Sequence, residues 1–179
     1  MNTRTPVAVL SLAASAVLVL TLSCAHSSGR ALPKSICGTP VDPDLIRPLV
    51  PSGKEFREYD RVDRSEAVSA PCVLLADNKP VVDLHFWWTA GPVDFKYMAE
   101  ETGSVSRVTD ARAIASPYKA VVGTDGALAA TPCKTRGGSH FTLTLQLPRV
   151  RLTDQSHRKD IEKFMRAYFP ATVGTLGCS

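Results

Sequence analysis

From His140 to Leu147 the chain alternates without a break. Phe141, Leu143, Leu145 and Leu147 fall on one side, and His140, Thr142, Thr144 and Gln146 on the other. A period of two is that of a pleated strand with one buried face. "CVLLADNKPVVDLHFWWT", residues 72–89, carries two apolar runs around Asp77-Asn78-Lys79, with Pro80 where a missing amide donor is tolerated. This predicts a β-hairpin whose second strand sends Val82, Leu84, Phe86 and Trp88 to the core and Val81, Asp83, His85, Trp87 and Thr89 to the other face. "YKAVVGTDGALAATPC", residues 118–133, predicts a second hairpin around Thr124-Asp125-Gly126.

Three stretches repeat at helical spacing. In "VDPDLIRPL" Asp42 can cap, Pro43 suits the first helical position, and Pro48 and Pro51 keep the element short. "GPVDFKYMAEETG" places Phe95, Met98, Ala99 and Thr102 on one side, with Gly103 past the end. "TDQSHRKDIEKFMRAYF" predicts a closing helix capped by Thr153 or Asp154, with Ile161, Phe164, Met165 and Tyr168 buried, His157 edging the core and Pro170 ending it. Residues 52–67, "SGKEFREYDRVDRSEA", are dense in charge with sparse apolar anchors, and predict a solvated loop or irregular edge. About five strands bracketed by helices give an α+β sandwich: an antiparallel sheet with helices packed on one face.

The N-terminus changes the picture from a domain to an exported domain. Arg4 precedes Val7–Leu22, which holds no charge and, diluted by Ser11, Ser15 and Thr21, falls short of the roughly 20 apolar residues of a membrane span. A signal peptide over 1–23 is expected. "LTLSC" resembles the lipobox of bacterial lipoproteins, in which a small residue precedes a cysteine that takes diacylglycerol and becomes the first residue. Cys24 would then be the lipidated residue, residues 24–36 a tether reaching about 40 Å when extended, and 37–179 one α+β domain. The alternative cut after "SCA" releases a soluble protein beginning at His26.

Export also decides how the remaining cysteines are read. Cys37, Cys72, Cys133 and Cys178 form an even set with no Cys-x-x-Cys pair, which favours disulfides over zinc. Four cysteines admit three pairings and the sequence leaves the choice open; Cys37 with Cys72 and Cys133 with Cys178 is the pairing expected here. Without residues 1–23 the chain has 20 basic and 17 acidic side chains, a mild balance that argues against nucleic acid as a partner.

Chemistry gathers only on the polar face of the sheet. If the strands at 79–89 and 140–147 are neighbours, Asp83, His85, Trp87, His140, Thr142 and Thr144 share one surface. Asp83, His85 and His140 could then supply a metal site or a base with its orienting carboxylate. Ordinary outward-facing polar residues give the same pattern. Trp87 is either covered by the 52–67 loop or left partly exposed as a contact. The basic residues Arg149, Arg151, Arg158, Lys159, Lys163 and Arg166 could touch an anionic lipid surface or wall polymer, although acids dilute them and mixed charge usually marks plain exposure. No nucleophile elbow, zinc-protease motif or phosphate-binding loop occurs, so nothing in the sequence argues for an enzyme or asks for a cofactor or metal.

The leader ending at Cys24, "ICGTPVDP" around Cys37, "PC" at Cys72 and Cys133, and "FMRAYFP" followed by Cys178 are similar to the small envelope lipoproteins of actinobacteria. The resemblance implies an anchored protein on the outer face of the cytoplasmic membrane and an α+β domain without catalytic apparatus, and it offers no catalytic residue. A binding or accessory module is therefore expected, with an envelope protein, a wall polymer or a hydrophobic ligand as partner. A lipid carrier is the alternative, and a metal-dependent or hydrolytic enzyme a more distant one.

Overall fold

A computed structural model describes residues 31–60, 64, 67–100 and 107–178. The signal peptide, Cys24 and the first part of the tether lie outside the described residues, as do Thr102 and Gly103. No helix among the described residues is long and apolar enough to cross a membrane.

The chain opens with a small hairpin, β1 (Ser35–Ile36) and β2 (Thr39–Pro40), then the helical turn α1 (Pro43–Ile46), which runs on as a 3-10 turn over Arg47–Leu49. Asp42 caps α1 as its sequence foretells, accepting the Asp44 N–H at 2.9 Å. The main sheet follows: β3 (Phe56–Asp60), β4 (Ser69–Ala76), β5 (Lys79–Thr89), β6 (Arg112–Ala113), β7 (Lys119–Val122), β8 (Gly126–Pro132) and β9 (His140–Gln146). Its spatial order is β3-β4-β5-β9-β8-β7-β6, antiparallel throughout, so two meanders meet where β5 pairs with β9. Asp77 and Asn78 join β4 to β5 with φ of 46° and 64°, the double positive φ of a tight hairpin turn.

The antiparallel sheet, its mixture with helices and the two disulfides stand as read, while the helices expected on one face lie on both, and the five strands foreseen are β4, β5, β7, β8 and β9. Two edge strands bring the sheet to seven. β3 comes from the charged stretch read as a solvated loop or irregular edge, and it is an edge: such a strand needs neighbours on one side only, so Arg57 and Glu58 sit in it without being buried. β6 has two residues, too few to carry a period.

Helix α3 (Arg158–Thr175) packs on the inner face. Ile161, Phe164, Met165 and Tyr168 are buried along it as expected. Its ends differ from the sequence reading. Asp154 caps the preceding turn at Ser156 and not the helix, whose N-cap is His157. Pro170 lies inside the helix, which continues to Thr175. A proline in a helix interior costs about 3 kcal/mol, and here tertiary contacts hold the turn beyond it: Thr172 meets Thr39 at 3.1 Å, and the Arg64 guanidinium donates to Thr175 Oγ1 at 2.8 Å. The space between α3 and the sheet, where a lipid carrier would keep its cargo, is filled by Phe86, Phe141, Phe164, Tyr168 and Phe169, each at most 1 % exposed.

The second face is not bare. α2 (Phe95–Glu100), started by Asp94 accepting from the Lys96 N–H, buries Phe95 and Ala99 with Val108 against Leu128 of β8. Helical cover is therefore on both faces, with α2 over the β7–β8 half of the outer one. Cys37 pairs with Cys72 and Cys133 with Cys178, at Cα separations of 6.0 and 4.9 Å. The first bridge ties the β1–β2 hairpin to β4, and the second ties the end of β8 to the segment after α3.

Candidate functional site on the outer sheet face

The predicted neighbours are neighbours. Asp83, His85 and Trp87 lie opposite Gln146, Thr144 and Thr142 across the β5–β9 pairing, which puts all six on the outer face. His140 shares that face but stands opposite Thr89, four residues from His85 along β5, roughly 14 Å at strand rise. Its ring meets Ser139 Oγ at 3.0 Å. Asp83, His85 and His140 therefore cannot close on one metal ion. Among the described residues the only cluster of three ligand-type side chains is Cys37, Glu58 and Cys72, and its two sulfurs are bonded to each other.

Thr142 and Thr144 are buried, at 0 and 1 %, where alternation alone would place them in water. The cover built by α2 and Val108 against Leu128, Thr144's neighbour on β8, accounts for this. Trp87 is half-buried and rests on His85, ring centroids 4.0 Å apart. Within the 52–67 stretch, Arg64 lies over the Phe86 ring, on the inner face, and residues 61–63, 65 and 66 lie outside the described residues. Trp87 Nε1 and Thr142 Oγ1, on residues paired across β5 and β9, are buried without a hydrogen-bond partner among the described residues, as is Trp88 Nε1 on the inner face.

The sequence reading missed Ser69. It precedes the run from which the first hairpin strand was read, but β4 begins with it, opposite Trp87. Ser69 Oγ lies 2.6 Å from His85 Nε2. Burial holds His85 below the ordinary imidazole range and so favours the neutral ring that can accept this proton. A hydroxyl on a neutral imidazole is the start of a nucleophilic pair, but no carboxylate orients the ring among the described residues.

Comparison with family models, curated proteins and solved structures finds no match to this chain. The chemistry of the face must therefore be read from its own residues.

Asp83 is the most informative of them. It is half-buried, it makes no hydrogen bond or ion pair among the described residues, and burial alone raises its carboxyl above the ordinary value. The folded chain thus holds a proton that the unfolded chain has released, and stability falls as pH rises through that interval. His85 acts oppositely, its lowered value costing stability as pH falls below the usual imidazole range. Asp83→Asn is expected to be more stable than the parent at pH 7, with the gain shrinking as pH falls and gone by about pH 3, where the parent carboxyl is protonated in both states. Urea unfolding at both pH values checks this, and a variant no more stable at pH 7 contradicts it.

Proposed function

We propose that the protein is an exported binding module of the cell envelope, anchored through Cys24, that meets its partner with the β3–β5 half of its outer sheet face. The observation that carries this reading is the asymmetry of that face. α2 covers the β7–β8 half, while the other half presents Tyr59 at 47 % exposure, Pro71, Val73 and the uncompensated Asp83 beside His85 and Trp87. A solvated sheet face has no need of a half-buried carboxylate without a partner, and such a group is what a binding site leaves for its ligand.

The full chain, crosslinked to its surroundings in native envelopes and then captured, is expected to retain an envelope component that Val73→Arg releases. Val73 sits between Tyr59 and Asp83 in the strand register. An Arg there obstructs the face without touching the core, and unchanged thermal unfolding verifies that. Equal retention by parent and variant, or no retained component, contradicts the proposal.

A further inference from the structure

Donors stand around Asp83, and the described ones are committed elsewhere. Its pair across β9 is Gln146, whose Nε2 donates to the Arg107 carbonyl at 2.8 Å. His85, two residues along β5, has Nε2 on Ser69 Oγ at 2.6 Å and its ring against Trp87. Arg57, on the same face of β3, donates to the Asn78 side chain at the β4–β5 turn. The Arg107 side chain lines a depression with Thr109, Asp125 and Gln146 that Asp83 does not share. No neighbouring charge acts on the Asp83 carboxyl, whose raised value comes from burial alone. A carboxylate in this position takes its charged donor from outside the chain.

The side of Asp83 that faces β4 is apolar. Val73 is its partner there, Tyr59 follows on β3, and Pro71 stands beside Val73 on the same face of β4. Val73 is half-buried, and Pro71 and Tyr59 are exposed. Two strand spacings separate Asp83 from Tyr59, roughly 10 Å. A negative charge at the rim of such an apolar strip complements a side chain that carries its positive head on an apolar stem, as arginine and lysine do. An amine on a sugar ring, dense in hydroxyls, would leave Val73 and Pro71 without an apolar counterpart. A small molecule needs a concavity that encloses most of its surface, whereas this strip is exposed.

We infer that the partner is a protein that seats an arginine or lysine side chain on Asp83, its stem across Val73 and Pro71 and its charge against the carboxylate. The inference rests on the β3–β5 face being the docking face and adds the chemistry of what docks there. Asp83→Asn removes the charge and keeps the shape, which separates it from the obstruction made by Val73→Arg.

The test uses the full chain carrying Cys24→Ala, so that no acyl group contributes, with its carboxyl carbons and backbone amides isotope-labelled for NMR. It is titrated with the end-blocked tripeptides Gly-Arg-Gly, Gly-Lys-Gly, Gly-Gln-Gly and Gly-Glu-Gly and with a glucosamine oligomer. The arginine or the lysine peptide is expected to shift the Asp83 carboxyl and the Val73 and His85 amides saturably, and to bind about tenfold or more tighter than the glutamine peptide. Asp83→Asn is expected to weaken that binding about tenfold or more, read at the same two amides. Asp60→Asn makes the same charge change at an exposed position on β3 and is expected to leave affinity within about twofold. In native envelopes Asp83→Asn should retain about a tenth or less of the component that the parent retains. A selective response to a basic peptide with no retained component supports the cation site and contradicts the envelope reading alone. A component that Val73→Arg releases and Asp83→Asn keeps overturns the inference and leaves the docking face standing. Equal responses to the basic and glutamine peptides, no saturable response to either basic peptide, or tighter binding of the glucosamine oligomer would also overturn it.

Discussion

Truncation of Phe141 to alanine is expected to cost about 3 to 5 kcal/mol, a large share of the 5 to 15 kcal/mol that typically holds a domain folded. Phe141 is fully buried on β9. Its ring lies 6.2 Å from Phe86 and 5.2 Å from Trp88, both on β5, and 5.8 Å from Phe169 on α3. Three elements meet at one side chain. Because its ring neighbours come from a second strand and a helix, each fixed by its own hydrogen bonds, the site cannot collapse onto the space left, and the cavity term adds to the lost transfer energy. Urea unfolding with an unchanged slope measures it; a loss under about 1 kcal/mol would mean that the layers repack freely.

Replacing Cys133 and Cys178 by serine is expected to remove about 4 kcal/mol, the chain-entropy value for a bridge across 45 residues. The loss should also be local. α3 continues through Pro170, and the bridge fastens the chain just past Thr175. Without it, only side-chain contacts such as Thr172 with Thr39 and Arg64 with Thr175 hold the turn beyond the proline. Hydrogen exchange should show amide protection falling in the last turn of α3 before it falls in β5 or β9. Unchanged protection there would mean that those contacts suffice without the bridge.

These elements also mark what the sequence could and could not convey. β4, β5, β7, β8 and β9 were legible because each alternates or flanks a turn, and the stripe of α3 because Ile161, Phe164, Met165 and Tyr168 repeat at helical spacing. β3 was not, since an edge strand among charged residues carries no apolar period. Nor was the run of α3 past Pro170, because the contacts that hold it come from Thr39 and Arg64, more than a hundred residues away.

The candidate face was legible in its membership and not in its environment. Period two named Asp83, His85, Trp87, Thr142 and Thr144, and only the pairing of β5 with β9 could set them side by side. That Thr142 is buried depends on a helix packing over the second face, and that His85 bonds to Ser69 depends on where β4 begins. His140 shows the limit of reading a shared face as a site: parity put it with His85, while distance along the strand separates them.

The central claim is an anchored, exported binding module, and the intact mass of the non-reduced protein from its native cells tests it most directly. The account expects a chain beginning at Cys24, heavier by its acyl groups and lighter by four hydrogens for Cys37–Cys72 and Cys133–Cys178. A mass beginning at His26 without acyl groups would contradict the anchor and make this a freely secreted protein.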